Sequence, residues 1–162
     1  MITLILPGYS AKNKVWTEEV AKRLNISGEI RPIYWDHWTE PNKIFKPKAK
    51  ARILSDISRN KIVNIIAKSV GTLVASYIVE KIPMQIGKVV LCGIPIKSLS
   101  EEDIKQVSKI FPEKSTVFQN DNDPLGSSEE VKKLFPNFKV IEKSSDTHDY
   151  PYFEEFNNYL IS

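Results

Sequence analysis

The chain has 162 residues, 41% of them hydrophobic, and a formal net charge of +3, which fits one domain whose core needs no disulfide or metal cross-link. Its lysines are spread along the whole length among acidic residues, and this pattern speaks against the basic block that a nucleic-acid partner requires. A single cysteine, Cys92, excludes an internal disulfide framework, and two histidines are too few for a His-rich metal cluster, so neither a metal nor a cofactor is expected.

The first predicted element is a strand over residues 2–6, which ends at Pro7-Gly8. This apolar stretch has no basic region before it and is too short for a signal peptide or a membrane span. We therefore expect a cytoplasmic protein with no membrane partner.

Further along the chain, short apolar runs alternate with helical patterns, as in proteins built from βαβ units. The other predicted strands are residues 30–35, 62–67, 88–92, 115–119 and 138–141. Among the helical residues expected to face the core are Trp16, Val20, Leu24, Ile53, Leu54, Ile57, Leu73, Val107, Phe111, Phe156 and Leu160. Ser100 and Ser127 are predicted helix N-caps, and Pro151 the first residue of the last helix. The pattern predicts a three-layer α/β/α sandwich with a parallel six-stranded sheet.

The loop after the third predicted strand carries a candidate nucleophile, because ligands of such sheets bind beyond the carboxyl ends of the strands. The sequence there reads Ala67-Lys68-Ser69-Val70-Gly71. A nucleophile elbow needs a serine in a tight turn between strand and helix, with small residues two positions before and after it. Ser69 meets these conditions, although it could instead simply cap the helix that follows.

The loops after the fifth and sixth predicted strands supply a base and an acid for this serine. His148 follows the sixth strand, while Asp121 and Asp123 follow the fifth. The chain order Ser, Asp, His is the one that a catalytic triad has in this architecture. His148 could also be an ordinary surface histidine, and the Asp residues an Asx-rich turn.

Three other reactive side chains receive a structural interpretation. His37 lies in Trp35-Asp36-His37-Trp38, where packing between the two tryptophans is expected because no nucleophile completes a mechanism there. Cys92 ends a predicted buried strand and is expected to be a small buried side chain. Lys68, next to the candidate nucleophile, is expected to be exposed.

Over nearly its whole length the chain resembles the α/β-hydrolase superfamily, and within it the small serine hydrolases of the retinoblastoma-binding-protein type. The resemblance rests on Leu6-Pro7-Gly8, the turn at Ser69, Cys92-Gly93-Ile94-Pro95, Asp123-Pro124 and the late His148. It implies the strand order 2-1-3-4-5-6. It also implies that the acid is Asp123, the Asp directly before Pro, with Asp121 as the fallback. The oxyanion donors that it implies are the backbone N–H groups of Val70 and of Tyr9, with Ser10 as an alternative to Tyr9.

These residues together predict a serine hydrolase that cleaves a small-molecule ester or thioester through an acyl-enzyme. An amidase or peptidase with the same triad remains open, because the shape of the pocket decides between leaving groups. So does a catalytically silent scaffold that binds a partner protein, since a fold does not guarantee an activity.

The predicted site has no lid, because only residues 93–99 separate the fourth strand from the next helix, where many α/β-hydrolases insert one. Its walls must then come from short loops. The expected pocket residues, besides Tyr9, are Ser10, Trp35, Ile94, Pro95 and Leu125. Such a shallow site predicts a preference for esters with short acyl chains.

Overall fold

The sheet is built from six parallel strands, as the alternation of apolar runs and helical patterns predicts. The computed structural model describes all 162 residues. Its strands are β1 (Ile2–Leu6), β2 (Glu29–Pro32), β3 (Val63–Lys68), β4 (Ile86–Cys92), β5 (Ser115–Asn120) and β6 (Val140–Lys143). Their order is β2-β1-β3-β4-β5-β6, with every neighbouring pair parallel. The predicted fold class and strand order are confirmed.

Six helices connect and follow the strands. They are α1 (Asn13–Arg23), α2 (Pro47–Ile57), α3 (Val70–Lys81), α4 (Glu101–Val107), α5 (Ser128–Leu134) and α6 (Phe153–Ile161). The two shortest, α4 and α5, each begin with a complete capping box, at Ser100 and Ser127 respectively. Such a box satisfies N–H groups that the first turn leaves without an acceptor. Both predicted caps are confirmed.

The central strands are buried on both faces, and each face has its own apolar core. On one face, Ile5 of β1 belongs to a cluster with Trp16 of α1 and Phe156 of α6. On the other face, the neighbouring residues Leu4 and Leu6 belong to a larger cluster that includes side chains of α2, α3, α4 and α5. Because successive side chains of a strand point to opposite faces, this alternation produces the three layers.

Several predicted boundaries and core residues differ from the structure. In α2, Ile53 and Ile57 were expected to face the core but are 56% and 43% exposed, while Ala51, Leu54 and Ser55 are buried. The buried residues follow a three-four spacing, which places the two isoleucines on the opposite side of the helix. The second and sixth strands are shorter or shifted, β2 ending at Pro32 and β6 beginning at Val140. The last helix begins at Phe153, two residues after the predicted Pro151.

No helix of the structure is both long and apolar enough to span a bilayer.

Candidate active site

Ser69 lies in a strained turn between β3 and α3. Its backbone angles are φ 54° and ψ −126°, a region that costs a residue other than glycine about 1–3 kcal/mol. Its side chain makes no capping hydrogen bond to the helix, so the alternative interpretation of Ser69 as a simple N-cap is wrong. The turn is instead held through the backbone, because Ser69 N–H donates to Cys92 O at 3.0 Å. A serine that does not cap its helix and occupies such a turn has the geometry of a nucleophile elbow.

The small residues around this turn permit a close approach of backbones. A Cβ atom added at Gly71 would lie 2.4 Å from Leu6 O and 2.9 Å from Pro7 O. Ala67, on the strand side, is fully buried. The start of α3 therefore rests directly on the end of β1, and a side chain at residue 71 would push the two apart.

His148 and Asp123 come together at the carboxyl end of β5. The His148 Nδ1 to Asp123 Oδ2 distance is 2.7 Å, and the Asp123 side chain is fully buried. Since a carboxylate can only accept, this bond places the proton of the neutral imidazole on Nδ1. The other ring nitrogen, Nε2, is buried and has no hydrogen-bond partner. His148 Nε2 therefore keeps an unused lone pair, as a general base requires, and no hydrogen bond joins it to Ser69 Oγ.

Two further donors hold the Asp123 carboxylate. The Tyr150 hydroxyl donates to Oδ2 at 2.5 Å, and the Leu125 N–H donates to Oδ1 at 2.8 Å. Burial raises the pKa of Asp123, but the hydrogen bonds from His148, Tyr150 and Leu125 outweigh it, so the net pKa is lowered. Burial raises the pKa of Tyr150, which keeps its hydroxyl a donor. The carboxylate is therefore ionised beside the imidazole.

Asp121, the fallback acid, has a different set of contacts. Its Oδ1 accepts from the Ser145 N–H at 2.9 Å, and its own N–H donates to Lys143 O. The Ser145 N–H also leads the causes that lower the pKa of Asp121. Asp121 thus ties the loop after β5 to the loop after β6 and makes no contact with His148.

Asn120, at the end of β5, was not singled out from the sequence. Its side-chain amide donates to Thr147 O at 2.8 Å and to Asp149 O at 3.0 Å, the carbonyls on either side of His148. Its side-chain oxygen accepts from the Tyr152 hydroxyl at 2.6 Å. An asparagine that directly follows a predicted strand is the only signal for such a role in the sequence. Asn120 fixes the backbone that carries the imidazole.

Gly93 leaves room for the same imidazole. Its φ is +61°, and a Cβ there would lie 2.5 Å from the Tyr150 ring and 2.9 Å from the His148 ring. Residue 93 directly follows Cys92, whose carbonyl accepts from Ser69 N–H. Ser69 and His148 thus approach neighbouring residues at the end of β4, from its two sides in the sheet.

The loop after β1 is oriented through its carbonyl groups. The Trp35 indole N–H donates to Pro7 O at 3.2 Å and to Gly8 O at 3.1 Å. Two other side chains donate to Tyr9 O, His37 through Nε2 at 2.8 Å and Trp38 at 2.7 Å. We call Trp35, His37 and Trp38 the carbonyl clamp. Because C=O and N–H point in opposite directions across a trans peptide, the clamp directs the Tyr9 and Ser10 N–H groups away from itself.

His37 therefore does more than the packing between tryptophans that the sequence suggested. Its ring stacks on Tyr9 with centroids 4.4 Å apart, and the bond to a carbonyl requires its proton on Nε2. The Tyr9 N–H has no hydrogen-bond partner in the chain. The Val70 N–H opens α3, where first-turn amides lack intrahelical acceptors.

The residues expected to wall a pocket divide into two groups. Tyr9 and Ser10 are exposed, and Leu125 is half-buried. Trp35, Ile94 and Pro95 are buried, and Trp35 and Ile94 lie in the larger apolar core at 2% and 0% exposure. This differs from the expectation because the segment after β4 packs down onto the sheet, where Ile94 N–H donates to the buried Gln119 side chain.

Lys68 was expected to be exposed, but it is buried. Its Nζ lies 5.5 Å from the centre of the Trp16 ring and 4.0 Å from Asp149 Oδ1. Burial lowers the pKa of Lys68, and the nearby acidic groups Cys92, Asp149 and Asp123 oppose this shift. Cys92 itself is fully buried, as predicted, and burial raises the pKa of its thiol. No group of three or more His, Cys, Asp or Glu side chains is arranged to hold a metal ion.

Comparison with known proteins identifies the fold. No model of a known protein family matches the chain, and no curated protein matches it in sequence. Among solved structures, the type II thioesterase BorB from the borrelidin biosynthetic cluster is similar with a TM-score of 0.71 at 12% identity, covering 99% of this chain and 92% of that one. A cold-adapted esterase from an Arctic intertidal metagenomic library has a TM-score of 0.65 at 15% identity, covering 98% and 81%.

A third similar structure is the pyrethroid hydrolase PytH, with a TM-score of 0.66 at 8% identity, which covers 100% of this chain and 98% of that one. These likenesses span nearly the whole length of the chain, and they agree with the six-stranded parallel sheet described above. The chain has the α/β-hydrolase fold.

Proposed function

We propose that the protein is a serine hydrolase that cleaves small carboxylic esters or thioesters, with Ser69 as nucleophile, His148 as base and Asp123 as the acid that orients it. One observation carries the proposal. A buried, ionised carboxylate fixes the proton of His148 on Nδ1 and leaves Nε2 without a partner, at the sheet edge where Ser69 occupies its strained turn. This arrangement fits the triad logic of acyl transfer.

The proposed reaction has two halves. His148 Nε2 takes the proton from Ser69 Oγ as Oγ attacks the substrate carbonyl, and it then gives that proton to the leaving alcohol or thiol as the acyl–oxygen or acyl–sulfur bond breaks. Water next attacks the acyl-serine, with Nε2 taking one of its protons and returning a proton to Oγ. The products are the acid and the free alcohol or thiol.

The proposed oxyanion hole consists of the backbone N–H groups of Tyr9 and Val70. The Tyr9 N–H has no acceptor within the chain, and the Val70 N–H belongs to the first turn of α3, whose amides lack intrahelical acceptors. The start of α3 also adds the positive end of a helix dipole, which stabilises a developing negative charge. The carbonyl clamp supports the assignment because it orients the peptide unit that carries the Tyr9 N–H.

The substrate class is proposed from the site and from the similar structures, which include thioesterases and esterases. Between β4 and α4 the chain has only a short loop with a single helical turn at Ile96–Ser98, so no inserted segment covers the serine. We therefore keep the preference for short acyl chains as part of the proposal. The relationship to the retinoblastoma-binding type and a cytoplasmic location also stay predictions.

A fluorophosphonate reagent tests the proposal, because it reacts covalently with activated serines. We expect stoichiometric labelling that peptide mass spectrometry maps to Ser69. Labelling should be lost in Ser69→Ala, and the rate of p-nitrophenyl butyrate hydrolysis should fall by about 10⁴-fold or more. Ser98→Ala, which removes an exposed hydroxyl from the loop after β4, is the matched control and should behave like the parent protein.

Either of two results would contradict the assignment. Labelling that persists in Ser69→Ala would place the nucleophile elsewhere. A well-folded parent protein that is neither labelled nor active would favour the catalytically silent scaffold.

A further inference from the structure

Lys68 is a buried cation that the proposed reaction does not use. Its side chain is 7% exposed, and its ammonium donates no hydrogen bond within the chain. The only carboxylate within ion-pair distance, Asp149, lies at the limit of that distance, 4.0 Å, and is itself 82% exposed. An ammonium group has three protons to donate, and Lys68 Nζ still touches solvent, since it is not among the fully buried polar atoms that lack a partner. The position of Lys68 therefore favours an acceptor that comes from outside the chain.

The space next to Lys68 is a cavity of about 600 Å³ between α1 and the loop after β6. Lys68 and Trp16 form part of its wall, and His148 and Asp149 form another part. Ser10, from the loop after β1, also lines it. Lys68 and His148 thus line the same cavity.

The wall beside the ammonium is largely apolar. Trp16 presents its ring to Lys68 Nζ, while its own indole N–H donates to Tyr150 O at 2.9 Å. Val15, Pro151 and Phe153 also line the cavity, together with the polar side chains of Lys12, Asn13 and Glu19, whose carboxylate is paired with Arg23. A charged group that binds here would be partly withdrawn from water, and its attraction to the ammonium would be screened less than at an open surface.

The place of His148 shows which half of a substrate the cavity would take. In acyl transfer, the base that receives the serine proton passes it to the leaving group, so the leaving group must lie on the side of the imidazole. The cavity contains His148 in its wall, whereas Ser69 is not part of that wall. The acyl group is then on the far side of the serine.

We propose that Lys68 forms a subsite for a carboxylate carried by the leaving group, so that the substrate is an ester or thioester of an anionic alcohol or thiol. This proposal rests on the proposed function for the direction of the substrate. Its physical basis is a largely buried lysine side chain whose ammonium has no hydrogen-bond acceptor in the chain and only the exposed Asp149 at 4.0 Å, in the wall of a cavity that His148 also lines. Burial lowers the pKa of Lys68, and a bound carboxylate would restore the charged form.

Binding of the leaving group alone tests the subsite without requiring catalysis. The probes are 3-hydroxybenzoate and its neutral counterpart 3-hydroxybenzamide, measured by titration calorimetry. We expect the parent protein to bind the carboxylate at least tenfold more tightly than the amide. Lys68→Met, which keeps an unbranched side chain one atom shorter and removes the charge, should abolish this difference, whereas Lys22→Met, at an exposed lysine of α1, should preserve it.

Asp149→Asn separates the subsite from a purely structural ion pair, and it also serves if Lys68→Met does not fold. Asp149 competes with a ligand carboxylate for Lys68, so its removal should increase the affinity for 3-hydroxybenzoate two- to fivefold and leave that for 3-hydroxybenzamide unchanged. Equal binding of the two probes by the parent protein would overturn the proposal, as would an Asp149→Asn variant that loses stability without a gain in carboxylate affinity.

Hydrolysis then distinguishes the two proposals. The matched substrates are 3-carboxyphenyl butyrate and 3-carbamoylphenyl butyrate, with rates corrected for their alkaline hydrolysis. The subsite predicts at least a tenfold higher kcat/KM for the carboxylate ester, and Lys68→Met should remove this selectivity. Turnover of both esters at equal rates, dependent on Ser69, would overturn the subsite and leave the triad. Selective binding without any turnover would support the subsite and contradict the proposed reaction.

Discussion

Two loops meet at the carboxyl edge of the sheet, and they are held in different ways. The loop after β6, which carries His148, is fixed from beneath by the buried groups Asn120 and Asp123, and by Tyr150 at its own end. The loop after β1, which carries Tyr9, is fixed from the side by the carbonyl clamp, whose bonds to Tyr9 O are exposed.

This difference indicates in which loop the positioning of a site residue is coupled to folding stability. A buried hydrogen bond that loses one partner leaves an unsatisfied group in the core, so a change around His148 should cost both folding free energy and activity. An exposed bond can be replaced by water, so a change in the carbonyl clamp at His37 or Trp38 should alter the orientation of a peptide unit with little effect on folding.

The largest expected effect separates the two acids after β5. Asp123→Asn should lower kcat by about 10⁴-fold, because the amide no longer selects the productive tautomer of His148. Asp121→Asn should retain most of the activity, since Asp121 contacts Ser145 and not the imidazole. Steady-state kinetics on p-nitrophenyl butyrate measures both. The opposite ranking would move the acid to Asp121.

Asn120→Ala tests the coupling of stability and activity directly. It removes the two hydrogen bonds to the carbonyls that flank His148, and we expect a loss of about 2–4 kcal/mol in the free energy of unfolding together with a fall in kcat of ten- to a hundredfold. Urea denaturation and kinetics give the two numbers. Asn122→Ala, at an exposed position of the same loop, should change neither, and a stable but inactive Asn120→Ala would show that the two effects are separable.

The carbonyl clamp should show the opposite behaviour. His37→Ala and Trp38→Phe each remove one donor to Tyr9 O, which lies in the peptide unit directly after the one that carries the Tyr9 N–H, so we expect kcat to fall three- to tenfold while the midpoint of thermal unfolding moves little. A boronic acid that mimics the tetrahedral intermediate should lose affinity in proportion to kcat/KM. If KM rises while kcat and boronate affinity stay constant, the clamp shapes substrate binding and not the oxyanion hole.

The smallest effect concerns the pH dependence of stability. The folded-state pKa of Asp123 is lowered from 3.8, so its ionised form contributes stability that is present above that value and is lost as the pH falls through the folded pKa. The difference in unfolding free energy between the parent protein and Asp123→Asn should therefore be constant from about pH 5 to 7 and shrink below about pH 4. Urea denaturation over this range measures it, and a difference that grows in acid would mean a raised pKa.

Much of the fold and part of the site could be predicted from the sequence because the signals are local. Parallel strands that are buried on both faces have continuous apolar sequences, and the capping residues Ser100 and Ser127 mark the starts of two helices. The turn at Ser69 needs Gly71 for a close approach of backbones, which leaves a signature within five residues. The late His148 could be named because the chain contains only two histidines.

What could not be predicted depends on contacts between distant segments. Lys68, at the end of β3, is buried where Trp16 of helix α1 lies over its ammonium, and no pattern near residue 68 indicates this. Asn120 and Tyr150 act through hydrogen bonds across 27 to 30 positions of the sequence. Side chains in loops follow no regular period that would indicate their direction. The prediction that Ile94 and Pro95 line an exposed pocket is therefore wrong, because both residues are buried.

The positions of the tryptophans make the intrinsic fluorescence of this protein sensitive to its candidate site. The chain contains three, and every one donates its indole N–H to a backbone carbonyl next to the site, Trp16 to Tyr150, Trp35 to Pro7 and Gly8, and Trp38 to Tyr9. Trp16 reports on the side of Lys68, and the other two on the loop after β1. Intrinsic fluorescence should therefore respond to events at the carboxyl edge of the sheet and be nearly silent to changes at the opposite edge, so single Trp→Phe variants would resolve which loop a ligand reaches first.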